Sequence, residues 1–124
     1  MEKRLYSIRG ATCCENTKDS IISSVGELCK TLFARNNVSS EDLVNIQFTV
    51  TGDLDALNPA TALRNFDTGI DTSATALFCA REPDVKGMMP KTVRVMVTCY
   101  LPAGTKLLPV YLNGTDRLRP DWRS

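Results

Sequence analysis

The sequence contains no histidine among its 124 residues. Ser-His-Asp and Cys-His catalytic groups, histidine general bases and histidine-containing zinc motifs are therefore excluded. The sequence also lacks a phosphate-binding G-x-x-x-x-G-K-[ST] loop and a G-x-G-x-x-G dinucleotide motif. If the protein is an enzyme, its chemistry needs no imidazole.

Cysteine is present, but without the spacing of a metal site or of a disulfide framework. The five cysteines are an odd number, and no two of them form a C-x-x-C pair. A disulfide framework favours an even count, and a zinc site favours paired spacing. We therefore expect free thiols in a reducing compartment.

Excess charge and long apolar runs are absent as well. Lys and Arg number 15 against 14 Asp and Glu, so the net charge is +1, which argues against a nucleic-acid protein held by a basic field. No stretch approaches the roughly 20 apolar residues of a membrane span. Residues 1–10 include Glu2, Lys3, Arg4 and Arg9, unlike the apolar core of a signal peptide. We expect a cytoplasmic protein that binds neither nucleic acid nor a membrane.

The composition that remains is that of one folded domain spanning residues 1–124. Hydrophobic residues make up 43% and charged residues 23% of the chain, which is ordinary for a globular protein. A chain of this length is also close to the usual size of a single domain.

Hydrophobic spacing predicts two helices. Apolar residues recur with helical period from Ile21 to Phe33, after Asn16 or Thr17 as N-cap and before Asn36-Asn37. The second helix is predicted from about Pro59 to Phe66, because Asn58-Pro59 is typical of an N-cap followed by proline at the first helical position.

Alternating hydrophobicity predicts the strands. Val44, Ile46, Phe48 and Val50 are expected to share one face, and Thr92–Leu101 places its valines on one side in the same way. Three further segments are predicted as strands: Leu5–Arg9, ending at Gly10; Thr75–Cys79, as a buried strand; and Leu107–Leu112.

The predicted order is β-α-β-α-β-β-β, an α+β fold with a mixed sheet of about five strands and two main helices on one face. The polar sides of the strands carry Thr, Asn, Gln, Arg and Tyr. A mixed second face in so short a chain favours oligomerisation. A monomer with one solvent-exposed face is the alternative.

Arginines are the first candidates for a binding site. Arg94 interrupts a valine-rich strand, where burying a guanidinium requires a partner, and Arg9, Arg64 and Arg119 lie at or near the ends of other elements. If several of them converge, bidentate pairing would suit a small polyanion with carboxylates or phosphates. Each one alone is equally explained as a solvated or structurally paired arginine.

A series of short motifs, in order along nearly the whole chain, carries a resemblance. They are Ile8-Arg9-Gly10-Ala11-Thr12; Phe48-Thr49-Val50-Thr51; Pro59-Ala60 with Arg64; Cys79-Ala80-Arg81-Glu82; Arg94-Val95; Val110-Tyr111-Leu112; and Leu118-Arg119-Pro120-Asp121. Through these motifs the sequence resembles the monofunctional trimeric chorismate mutases of the AroH class. The resemblance implies a homotrimeric pseudo-α/β-barrel with sites between subunits.

The resemblance also implies an activity, the rearrangement of chorismate to prephenate in aromatic amino-acid (Phe/Tyr) biosynthesis, with no metal or organic cofactor. The absence of histidine agrees with this reaction, because a unimolecular pericyclic step moves no proton. An imine or enamine deaminase of similar trimeric fold, or a non-catalytic small-molecule-binding protein, is the alternative.

Residue roles are implied in the same way. Arg94 would donate to the breaking ether oxygen, Glu82 would hold the ring hydroxyl with Cys79 beside it, and Arg9 would bind a carboxylate near the ether oxygen. The remaining residues are implied to line the substrate pocket: Phe78, Ala80, Arg81 and Tyr111; Ala60, Thr61 and Arg64 from the adjacent subunit; and Leu118 and Arg119 from a covering C-terminal segment. Asn58 and Thr61 depart from the family pattern. By the resemblance, this changes the wall of the pocket that the adjacent subunit supplies.

Overall fold

A computed structural model of the protein describes residues 2–122. The helices and strands follow one another in the predicted order, β-α-β-α-β-β-β. In chain order they are β1 (Lys3–Cys13), α1 (Lys18–Arg35), β2 (Leu43–Val50), α2 (Pro59–Arg64), β3 (Ala76–Arg81), β4 (Thr92–Pro102) and β5 (Val110–Tyr111), with 3₁₀ turns at Ser40–Asp42, Thr115–Leu118 and Pro120–Trp122.

The five strands form one mixed sheet in the order β3-β2-β4-β1-β5. The central strand β4 is antiparallel to both neighbours, β1 and β2. The outer pairs, β1 with β5 and β2 with β3, are parallel. The predicted mixed five-stranded sheet is therefore confirmed.

Helix α1 begins and ends with local hydrogen bonds that its sequence supplies. The Thr17 hydroxyl accepts a hydrogen bond from the Ser20 N–H at 3.1 Å, as an N-cap does. At the other end Asn37 adopts a left-handed φ of 54°, and the Val38 N–H donates to Phe33 O at 3.0 Å. This is a Schellman motif with asparagine in place of the usual glycine.

Both helices lie against one face of the sheet and close the core there. The buried side chains of α1, Ile21 to Phe33, meet alternate residues of the central strands. The strand residues buried on this side are Ile8, Ile46, Phe48, Val93, Val95, Val97, Cys99 and Leu101. The alternating apolar residues of β4 and the apolar stripe of α1 thus form the two sides of one interface.

The opposite side of the sheet is called the open face below. It is formed by the alternate residues of the same strands, and the register places polar and apolar side chains there together. Its residues include Leu5, Ser7, Arg9, Ala11, Asn45, Gln47, Thr49, Phe78, Ala80, Arg94, Met96, Thr98 and Tyr100.

Two strand predictions are wrong in detail. Val44 does not share the core face with Ile46, because the pairing of β2 with β4 shifts register between Leu43 and Asn45 and Val44 is exposed. The strand predicted as buried at Thr75–Cys79 is instead the edge strand β3, and most of its residues are accessible. An apolar composition alone does not distinguish an edge strand from a central one.

Two strand ends also differ from the prediction. Strand β1 passes through Gly10 and continues to Cys13. Gly10 lacks a side chain because a Cβ there would lie 2.8 Å from Val110 O of β5. The last strand is only Val110–Tyr111, since Pro109 has no N–H to donate to a ladder.

The five cysteines are free thiols, as predicted. Burial raises the pKa of the Cys29 thiol to about 12, and burial is the main cause that raises the pKa of Cys14 to about 11. These thiols behave as small core residues. Within residues 2–122, no helix combines the length and the apolar character that crossing a membrane requires.

Candidate active site

A small cavity of about 90 Å³ lies on the open face where β4, β1 and β5 run side by side. Five of the residues predicted to form the site line it together. They are Arg9, Arg94, Tyr111, Leu118 and Arg119, with Gly10, Ala11 and Val95 at its floor. These residues are separated by up to 110 positions in the chain, so only the sheet brings them together.

Arg9 and Arg94 are diagonal neighbours on adjacent strands. Arg94 is the register partner of Ala11, two residues beyond Arg9 on the same face of β1. Diagonal positions of this kind are within reach of long side chains. The valines on either side of Arg94 are buried on the helix side, so strand alternation directs the guanidinium to the open face.

Glu82 reaches the same region from the end of β3. Its N–H donates to Val50 O at 2.8 Å and extends the pairing of β3 with β2 by one residue. Its Oε1 lies 3.5 Å from Arg94 Nε, and it accepts a hydrogen bond from the Thr49 hydroxyl at 2.5 Å. The carboxylate thus lies beside the Arg94 guanidinium without a short hydrogen bond to it.

The C-terminal segment covers one side of the cavity and is anchored to β1. The Thr115 hydroxyl donates to Ala11 O at 2.9 Å, and Asn113 Nδ2 donates to the Thr12 hydroxyl at 2.9 Å. In β5, Tyr111 pairs with Ala11. These bonds hold Tyr111 and the following turns against the floor of the cavity.

Arg119 is held by the carboxylate that follows it. Its Nε and Nη2 donate to the two oxygens of Asp121 at 3.1 and 2.8 Å. The pKa of Arg119 is raised chiefly by this hydrogen bond, with smaller contributions from Asp121's charge and from Tyr111. The same bond lowers the pKa of Asp121. Asp121 therefore orients the guanidinium at the cavity wall and balances its charge.

Two predicted site residues have side chains on other surfaces. Cys79 pairs with Phe48 and faces the helix side, so its thiol does not lie beside the Glu82 carboxylate. Arg81 also faces away, pairing with Asp84 at 3.0 Å and lining a separate cavity of about 200 Å³. Phe78 and Ala80, which alternate with them in the strand, do face the open side.

The α2 residues Ala60, Thr61 and Arg64 lie in the helix layer, across the sheet from Arg94. Arg64 lines a different cavity of about 320 Å³ with Leu63, Phe66 and residues 70–73. A single subunit therefore does not bring α2 to the arginine cavity. The Asn58 side chain accepts from the Ala60 N–H at 2.8 Å, so this departure from the family pattern acts as the N-cap of α2.

Thr49 was not predicted as a site residue, although it contacts Glu82 and is the register partner of Arg94. In the sequence it is one of three polar residues that alternate along β2, and although it belongs to the motif Phe48-Thr49-Val50-Thr51, that motif implied no role for it. The contact with Glu82 depends on which strands flank β2. That pairing is a tertiary property.

A mixed sheet with helices on one face, and an arginine-lined cavity on the other, defines a small α+β protein suited to an anionic small molecule. A family model for chorismate mutase type I matches residues 5–122. The chain belongs to this family.

Relatives of known identity agree with the family match. Chorismate mutase AroH of Bacillus subtilis (strain 168) is 34% identical over 119 residues, which cover 94% of this chain and 91% of the relative. Chorismate mutase AroH of Thermus thermophilus is 36% identical over 120 residues, covering 94% and 95%. A solved chorismate mutase from Clostridium thermocellum superposes with a TM-score of 0.79 at 38% identity, covering 90% of this chain and 98% of that one. These matches do not favour the deaminase or non-catalytic alternative.

Proposed function

We propose that the protein rearranges chorismate to prephenate at the cavity lined by Arg9, Arg94, Tyr111 and Arg119. The observation that carries this proposal is the juxtaposition of the Arg94 guanidinium with the Glu82 carboxylate beside that cavity. In a protein of this family, the pair supplies fixed charge of both signs where the reaction needs it.

The reaction breaks the C–O bond of an ether and forms a C–C bond in one step. It forms no covalent intermediate, so the site needs neither a nucleophile nor a general base. What helps is selection of the compact conformer in which the bond-forming carbons are close. Charges that are already oriented toward the transition state also help, since they need no reorganisation during the reaction.

Arg94 and Glu82 have complementary tasks in this scheme. The ether oxygen gains negative charge as its bond breaks, and the Arg94 guanidinium stabilises it. The ring gains positive character, and the Glu82 carboxylate stabilises that charge and holds the ring hydroxyl. Both interactions strengthen toward the transition state, which is the condition for accelerating the chemical step.

The two carboxylates of the substrate would be bound by the remaining cavity residues. Arg9 presents a guanidinium from the neighbouring strand, and Tyr111 presents a phenolic hydroxyl. Arg119, whose Nε and Nη2 are bonded to Asp121, forms part of the wall on the side covered by the C-terminal segment. Leu118 closes this wall with an apolar surface.

The working form would be a homotrimer with each site shared between two subunits. The cavity of one subunit, about 90 Å³, is smaller than the roughly 300–1,000 Å³ of typical ligand pockets. The open face around it also exposes large apolar side chains. A neighbouring subunit would supply Ala60, Thr61 and Arg64 to complete the pocket beside Phe78 and Ala80.

In the cell the protein would act in the cytoplasm, in the biosynthesis of phenylalanine and tyrosine. The chemistry above is carried by side chains alone, so no metal or organic cofactor is required.

The proposal is tested by following the disappearance of chorismate and the appearance of prephenate with purified protein. We expect turnover in the wild type and almost none in a folded Arg94→Ala variant. A folded wild-type protein that leaves chorismate unchanged would overturn the proposed function. Release of ammonia from an imine or enamine substrate would instead support the deaminase alternative.

A further inference from the structure

We propose that Thr49 is a positioning residue that holds the Glu82 carboxylate at a working distance from Arg94. This inference rests on the proposed function and adds a residue to its machinery. The structure places Thr49 on β2 directly beside Arg94 on β4, and both side chains are on the open face.

The contact between Thr49 and Glu82 is the shortest polar contact that the structure gives this carboxylate. The hydroxyl donates to Oε1 at 2.5 Å, within the range of charge-assisted O–H···O⁻ hydrogen bonds. The same oxygen is 3.5 Å from Arg94 Nε, beyond hydrogen-bond length. Glu82 therefore has its strongest side-chain bond to Thr49 and a weaker attraction to Arg94.

Glu82 needs such a support because of where it lies in the chain. It follows the last residue of the edge strand β3 and precedes the exposed loop that carries Pro83, Asp84 and Val85. Its backbone is fixed by one hydrogen bond to Val50 O. The side chain retains three torsions that this bond does not restrict, whereas a β-branched threonine on a strand has a restricted χ1.

The same contact keeps Arg94 available. A glutamate and an arginine left to themselves form short, often bidentate hydrogen bonds. Such a pair would direct the donors of Arg94 to Glu82 and withdraw both charges from the cavity. By holding Oε1, Thr49 leaves the carboxylate close enough to balance the guanidinium, while the guanidinium keeps its donors for the substrate.

The variant Thr49→Val tests this role because valine keeps the shape and removes the hydroxyl. We expect kcat to fall roughly tenfold, the rate equivalent of one hydrogen bond to a charged group. KM should change less than about twofold, because the interactions of Glu82 with the ring strengthen toward the transition state. Thr49→Ser, which restores the hydroxyl, should recover most of kcat.

A double-mutant cycle separates positioning from a general structural effect. If Thr49 acts through Glu82, Thr49→Val should have less than about twofold further effect in a Glu82→Ala background. An equal loss in both backgrounds, or no rescue by Thr49→Ser, would overturn the proposal. Circular dichroism checks folding, and Thr49→Ala replaces Thr49→Val in the cycle if the valine variant does not fold.

Thr105→Val is the matched control. Its hydroxyl also donates a 2.5 Å hydrogen bond, to O of Pro102 at the end of β4, away from the cavity. We expect kcat and KM to match the wild type. If the wild type converts chorismate and Thr49→Val has the same kcat, the role of Thr49 alone is overturned. If the wild type does not convert chorismate, the proposed function is overturned and this role with it.

Discussion

Arg94 combines two properties that conflict in an ordinary strand residue. It lies between the buried residues Val93 and Val95 on the central strand, yet its guanidinium is on the open face beside one carboxylate. Such a placement suits a cation that is to meet a second negative partner during a reaction. The kinetic consequences of replacing it therefore test the mechanism directly.

Arg94→Ala should lower kcat by about 10²–10³, the usual loss for one donor to a developing oxyanion, while KM changes far less. Arg94→Lys should recover little, since a point charge on a shorter chain does not reproduce the guanidinium geometry. Arg64→Ala should mainly raise KM, because in the proposed trimer Arg64 lines the pocket from the neighbouring subunit. Steady-state kinetics on folded variants measures this, and a near wild-type kcat in Arg94→Ala would contradict the role of Arg94.

Asp53 ties the turn after β2 to the start of β4. Its carboxylate accepts the Thr51 hydroxyl at 2.5 Å and the Lys91 N–H at 3.1 and 3.0 Å. The hydrogen bond from Thr51 is the main cause that lowers the pKa of Asp53 below its ordinary value of 3.8. Lys91 itself has a left-handed φ of 49°, so its position depends on these contacts.

Because the folded pKa of Asp53 is lowered, its ionised form stabilises the fold above pH 3.8 and that contribution is lost as pH falls through the folded pKa. We expect Asp53→Asn to reduce the free energy of unfolding at neutral pH and to flatten its decline below pH 3.8. Urea unfolding across this range measures both. If the free energy of unfolding of Asp53→Asn depends on pH as that of the wild type does, the Asp53 carboxylate does not stabilise the fold.

At the scale of elements, the packing of β5 against β1 depends on the absence of a side chain at Gly10. A Cβ there would meet Val110 O at 2.8 Å and Leu28 Cδ1 at 3.2 Å. The first contact is with backbone, which moves only with the whole strand. Tyr111 follows Val110, so any shift of β5 also moves one wall of the cavity.

Gly10→Ala should therefore destabilise the fold. Overpacking typically costs about 1–3 kcal/mol, and this exceeds the roughly 0.5–1 kcal/mol gained by removing a glycine from a strand. We expect a net loss of roughly 1 kcal/mol in the free energy of unfolding, with a lower kcat/KM. Urea unfolding and kinetics at one temperature test it, and an unfolding midpoint equal to the wild type would contradict the close approach.

Sequence patterns predicted some elements better than others for a physical reason. The period and caps of α1 are local, so Thr17, the stripe from Ile21 to Phe33 and Asn37 are readable without the rest of the chain. The exposure of β3 and the bulge at Val44 depend on which strand lies alongside. No local pattern contains that information.

At the scale of the whole molecule, the open face carries several large apolar side chains that are exposed in the single subunit. Leu5, Val44, Phe78 and Tyr100 are 48%, 40%, 63% and 44% exposed and lie on or beside this face. Leu5 and Tyr100 are register partners, so two of them form one contiguous patch. Contiguous apolar surface of this kind marks an interaction site.

Sedimentation equilibrium should give the mass of a trimer for the wild type at micromolar concentration. Leu5→Glu, which places a charge in the patch, should shift the distribution to lower mass and make activity depend on protein concentration. Val85→Glu is the matched control, because Val85 is 62% exposed but lies in the β3–β4 loop. A wild-type monomer would contradict the shared site.

Sequence alone determined the element order, the cap and stripe of α1, the core face of β4, and the kind of chemistry that a chain without histidine can perform. These depend on residue type and on spacing along the chain. It also identified Arg9, Arg94, Tyr111, Leu118 and Arg119 as candidates, through motifs in a fixed order. Only the tertiary structure decided that these five share one cavity, that Cys79 and Arg81 face elsewhere, and that Thr49 bonds Glu82. Strand pairing sets those distances, and pairing joins residues far apart in the chain whose partners no local pattern records.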